Sequence, residues 1–133
     1  SRDVLDAEAA LLRLPARARA EARKGKATVA LRVEGDDVVM ERTPPEEDPT
    51  EITRFNSKEI TYSVDADWVW NVRADGTADR ATLVIREGNG EKTILLPADG
   101  EPRILGPNEE IESLDTEKWT AGELEQRTEG TSL

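Results

Sequence analysis

The sequence predicts an α+β fold in which an N-terminal α-helix packs on antiparallel β-sheet. Three observations carry this. Apolar residues recur at helical spacing over 3–24, short β-prone runs follow between 27 and 96, and the close spacing of those runs implies antiparallel pairing. At 133 residues the chain has the length for one core. Its parts are read as a helix over 1–25, a sheet domain over 26–105 and an acidic tail over 106–133.

In the helix, Val4, Leu5, Ala9, Leu11, Leu12, Ala16 and Ala20 include i, i+3, i+4 and i+7 spacings, alanine is frequent, and no β-branched residue follows Val4 before Thr28. Pro15 removes a backbone donor and is expected to kink the helix about one turn earlier. Gly25, after Arg23 and Lys24, is the expected C-terminal stop.

Six strands are expected, over 27–33, 38–42, 59–64, 68–73, 81–87 and 92–96. Glu34-Gly35-Asp36-Asp37 and Gly88-Asn89-Gly90 offer residues that tolerate positive φ and so read as hairpin turns, and Asp75-Gly76 marks a turn after the fourth run. The segment 43–50 carries Pro44, Pro45 and Pro49 among Glu46, Glu47 and Asp48, so it reads as a solvent loop or an edge excursion. Alternation sets Val29, Leu31 and Val33 on one face of their strand, and Trp68, Trp70 and Val72 on one face of theirs. One face of the sheet is thus expected to pack under the helix and the other to stay mostly wet. Beyond Leu105 the chain turns polar, with a short helix expected from 115 or 116 and with Ile111, Leu114, Trp119 and Leu124 as anchors to the domain.

Composition narrows the chemistry. Charged residues make up 35% of the chain and aromatic residues 4%, so the core rests on aliphatic side chains. The net charge of −11 repels phosphate backbones. It is unevenly spread: Arg13, Arg17, Arg19, Arg23, Lys24 and Lys26 against Glu21 give +5 over 13–26 and leave −16 elsewhere. That basic helix face is solvated, or it docks acidic neighbours or anionic headgroups. With no cysteine and no histidine, thiolate and imidazole ligands and the Ser-His and Cys-His nucleophile pairs are absent.

The acidic groups Asp36/Asp37, Glu46/Glu47/Asp48, Asp65/Asp67 and Glu109/Glu110 read as solvated turns. The run from Asp75 to Asp79 has a glycine but too few aligned oxygens for a calcium loop. Trp68 and Trp70 share a strand face, which is the pattern of a core stripe more than of a sugar cleft. Ser57, Lys58 and Ser63 form no Ser-Lys motif, and Gly35, Gly76, Gly88, Gly90 and Gly100 show no phosphate-loop spacing. No catalytic residue, metal site or cofactor is expected, and the chain reads as no enzyme.

Ala18-Arg19-Ala20-Glu21-Ala22 followed by Arg23-Lys24-Gly25 and a Val-rich strand resembles the helix-to-first-strand junction of the minor pseudopilin H family of the type II secretion system. Val72-Arg73-Ala74-Asp75-Gly76-Thr77, the run 81–86, a glycine turn, the run 93–96, and Asp99-Gly100 before Arg103-Ile104-Leu105 are similar to that family's later elements in the same order. The resemblance covers about residues 5–105. Pro15, the acidic proline loop at 43–50 and the tail beyond Leu105 depart from it.

What the resemblance implies is an assembly subunit with no cofactor, placed on the periplasmic side of a bacterial inner membrane. An apolar anchoring helix would precede Ser1, and the partners would be other pseudopilins or pilins met through the helix and the sheet. Arg13, Arg17, Arg19, Arg23 and Lys24 are the expected partner-binding residues. The alternative is a minor pilin of a type IV pilus that binds DNA or carbohydrate.

Overall fold

The computed structural model describes residues 2–106. The expected single helix is two, α1 (Arg2–Leu12) and α2 (Leu14–Gly25). Pro15, in the first turn of α2, has no N–H to bond the Leu11 carbonyl. The chain answers with a tighter turn: the Arg13 N–H donates to the Ala10 carbonyl at 3.2 Å, three residues back. The kink expected a full turn before Pro15 is therefore a break at Arg13. The C-terminal stop also moves by one. Gly25 ends the helix and Lys26 takes the left-handed conformation at φ 51°, its N–H donating to the Ala22 carbonyl. Gly25 instead makes room, since a Cβ there would lie 3.1 Å from Arg42 Nε.

Among the described residues eight strands follow: β1 (Thr28–Glu34), β2 (Asp37–Thr43), β3 (Thr50–Asn56), β4 (Thr61–Tyr62), β5 (Val69–Val72), β6 (Ala81–Glu87), β7 (Gly90–Leu96) and β8 (Arg103–Ile104). They form two four-stranded sheets, ordered β3-β2-β1-β5 and β4-β6-β7-β8, with every pair antiparallel. The expected strand over 59–64 shortens to Thr61–Tyr62, because the Ile60 N–H turns back to the Ser57 carbonyl. The β1–β2 and β6–β7 hairpins close on Glu34↔Asp37 and Glu87↔Gly90. In each, glycine is the first central residue, at φ 61° for Gly35 and 58° for Gly88. A glycine with positive φ in that place suits the twist of the flanking strands. The loop at 43–50 joins β2 to the edge strand β3.

β3 is not among the expected strands. Its register against β2 slips between Met40 and Glu41, and Ile52 and Phe55, three apart, both pack toward the core. A bulge of this kind erases the period of two on which strand recognition depends.

One apolar cluster joins both helices to both sheets. Ala7, Leu11, Ala18 and Ala22 come from the helices, Val29, Leu31, Val38, Met40, Trp70 and Val72 from the first sheet, and Leu83, Ile85, Ile94 and Leu96 from the second. The faces follow the expected alternation, but the outer face is not wet throughout: Ala30 and Leu95 are buried there, and so is Val39, which has no exposed area. Its cross-strand partners are Arg32 and Arg54, which hold carboxylates on either side: Arg32 reaches Glu41 at 3.0 Å, and Arg54 reaches Asp37 at 2.6 Å and Glu51 at 2.9 Å. Long cationic stems thus cover apolar surface while their heads stay wet. The reading of 107–133 as a docked tail with a short helix lies outside the described residues.

Candidate interaction surface on the helices

The helix phase sorts the basic residues. Leu11, Pro15, Ala18 and Ala22 recur at helical spacing and are buried against the sheets. The opposite side exposes Ala9, Arg13, Ala16, Arg17, Ala20 and Lys24, with Leu5 62% exposed at the far end and Leu12 half-buried. Arg13, Arg17 and Lys24 therefore share an outward face along a strip of small apolar side chains. Arg17 lies 3.9 Å from Glu21, a loose pairing of the i,i+4 kind. A groove of ≈ 450 Å³ borders this face, lined by Leu12, Arg13, Ala16, Arg19, Gly100, Glu101 and Pro102.

Arg19, expected on that surface with the others, is placed inside the molecule. It is 7% exposed, and its guanidinium lies 5.3 Å from the centre of the Trp70 ring. Nε donates to the Gly76 carbonyl at 3.1 Å, Nη1 to the Gly100 carbonyl at 2.6 Å and Nη2 to the Pro97 carbonyl at 2.6 Å. One side chain thus ties α2 to the turn after β5 and to the segment between β7 and β8. Burial lowers its proton affinity, Asp99 opposes this, and Arg23 adds to it. With donors directed at three carbonyls, Arg19 reads as an internal clamp, in place of the partner contact expected of it.

Arg23 is exposed but lies over the same turn. A Cβ on Gly76, whose φ is 91°, would fall 2.5 Å from Arg23 Nε. The glycine thus serves both the backbone angle and the close approach of the arginine.

A second charged cluster has no signal in sequence. Glu8 of α1, Glu87 of β6 and Lys92 of β7 meet across 84 residues of chain, with Lys92 Nζ 2.7 Å from Glu8 Oε2 and 3.3 Å from Glu87 Oε1. Burial, and then Glu8, push the Glu87 carboxyl above the usual range, while a hydrogen bond from Glu87 holds Glu8 below it.

The other candidates resolve as structure. Trp70 is 2% exposed and its indole N–H donates to the Asp79 carbonyl at 2.9 Å; that of Trp68, which is half-buried, donates to the Thr82 carbonyl at 2.9 Å. Trp70 is thus a core residue, and Trp68 packs against the same core. Asp37 accepts from Asn56 and Arg54, Asp75 accepts from the Thr77 N–H, and Asp79 pairs with Arg73. Among the described residues no three potential ligands converge on a metal position, and no helix is long and apolar enough to cross a membrane. Glu109 and Glu110 lie outside the described residues.

No protein-family profile matches the chain, and no curated protein matches it in sequence. In three dimensions it is similar to the minor pseudopilin EpsH from the type 2 secretion system of Vibrio cholerae, at a TM-score of 0.57 and 11% identity, over 79% of this chain and 97% of that one. At that identity the likeness is one of fold: a helix on antiparallel sheets in the pilin manner.

Proposed function

We propose that the chain is a structural subunit of a pilin-like assembly, acting through contacts with sister subunits, and that its place is among the minor pseudopilins of type II secretion. The fold likeness supports the class, and the exposed helix face supports the mode. Leu5, Ala9, Ala16 and Ala20 leave an apolar strip in solvent, flanked by Arg13, Arg17 and Lys24. Small side chains let a second helix approach closely, and charges at the rim select its register and partner. An apolar segment ahead of Ser1 would anchor the subunit in the inner membrane, with this domain on the periplasmic side.

The test is charge reversal at the outward cations. Arg13→Glu, Arg17→Glu and Lys24→Glu together should abolish co-assembly while leaving the stability of the domain within about 1 kcal/mol of the original, as exposed substitutions do. Undiminished co-assembly of the triple variant would refute this use of the surface. Arg19 belongs outside such a set, because its replacement removes internal bonds and confounds assembly with stability.

A further inference from the structure

α1 is held differently from the rest of the molecule. The break at Arg13 separates it from α2, and its buried side chains are Ala7, Glu8 and Leu11. At its elbow, where Leu11, Leu12, Leu14 and Pro15 meet Trp68, Leu83 and Ile94, packing leaves a void of ≈ 10 Å³, about the room of one water. A polar tie to the second sheet is Glu8, whose side chain is 8% exposed, and it shares Lys92 with Glu87, 9% exposed. Two nearly buried carboxylates face one ammonium. Glu87 Oε2 is buried and accepts no hydrogen bond. An orphaned acceptor becomes a satisfied donor if that oxygen carries a proton toward Glu8.

We propose that Glu8, Glu87 and Lys92 form a proton-held latch: with one proton between the two carboxylates α1 is docked on β7, and loss of that proton to solvent frees α1 to swing about Arg13 while α2 and both sheets stay folded. The inference stands apart from the assembly reading and uses none of its partners. The groups facing the latch are Glu8 from α1, Glu87 from β6 and Lys92 from β7. Nearby, Arg86 and Glu91 sit on the other face of the β6–β7 hairpin, paired to each other at 2.9 Å. On α1 the positions one turn from Glu8 hold Val4, Leu5, Leu11 and Leu12, none charged.

The sign follows from Glu87. Its carboxyl is raised in the folded state, chiefly by burial, so its protonated form favours docking at acid and mildly acid pH, and the support is lost as pH rises through the raised value. Glu8, held low, stays ionised across that window and keeps its bond to Lys92.

Amide hydrogen exchange on the full chain, corrected for intrinsic rates, tests it over a pH series that starts in the ordinary glutamate range and rises from there, with local opening read segment by segment. Protection of residues 4–12 should fall several-fold with rising pH relative to residues 16–25. Glu87→Gln, which keeps the shape and removes the ionisation, should hold α1 protection constant, and Lys92→Met should lower it at every pH. Carbon-13 detection of the Glu87 carboxyl should show it titrating above the ordinary glutamate range. Parallel loss of protection in α1 and α2, an unchanged pH profile in Glu87→Gln, or an ordinary Glu87 titration would each overturn the latch.

Discussion

Replacing Arg19 with methionine removes three donors while keeping most of the stem that packs on Trp70. The three acceptors differ in their access to water. Gly76 is buried, so its carbonyl is stranded, at a cost of about 1–3 kcal/mol. Pro97 is partly exposed and Gly100 exposed, so water replaces the guanidinium there and each loss is about 0.5–1.5 kcal/mol. The cation over the indole adds about 0.5–1 kcal/mol. Relief of the buried charge's desolvation, visible in the lowered proton affinity of Arg19, offsets part of the sum. The expected net loss is about 3 kcal/mol, against a typical domain stability of about 5–15 kcal/mol. Urea unfolding followed by tryptophan fluorescence measures it, with Trp70 beside the substitution as reporter. Arg17→Met is the control on the exposed face and should change stability by less than about 0.5 kcal/mol. Equal, small effects at 17 and 19 would refute the clamp.

Gly76→Ala should cost about 1–3 kcal/mol by thermal or urea unfolding, because it forces a side chain to positive φ and into the Arg23 guanidinium. Adding Arg23→Ala should recover the contact part and leave the backbone part. The carboxyls of Glu34, Asp37 and Glu51 are held below their usual range, chiefly by Arg54 for the two glutamates and by Asn56 ahead of Arg54 for Asp37. Their support is therefore present above the ordinary carboxylate range and lost as pH falls through the depressed values. An acid titration of the unfolding midpoint should show that decline, and Arg54→Met should flatten it.

The parts of the fold legible in sequence are those with a local cause. The β1–β2 and β6–β7 hairpins are readable because glycine stands where positive φ is needed, and the inward set Val29, Leu31, Trp70 and Val72 because alternation holds across those strands. β3 is not, because its bulge breaks the alternation, and neither is the latch, because Glu8 and Lys92 are brought together only by tertiary packing. The inward place of Arg19 does have a local signal. Leu11, Pro15, Ala18 and Ala22 set the buried phase, and residue 19, four after Pro15 and three before Ala22, falls at its edge. Arg13, Arg17 and Lys24 fall opposite. Composition alone treats all five cations alike, and helix phase separates them.

The central claim is that the outward strip of the helices seats another pilin-like subunit. A photo-crosslinking side chain placed at Ala16 or Ala20, in the protein expressed from its native locus, measures this directly. The account predicts crosslinks to a pilin-like subunit from these positions, lost in the Arg13→Glu, Arg17→Glu, Lys24→Glu background, with none from control positions such as Asn71 on the outer face of the first sheet. Crosslinks from Asn71 with silence at Ala16 and Ala20 would contradict it.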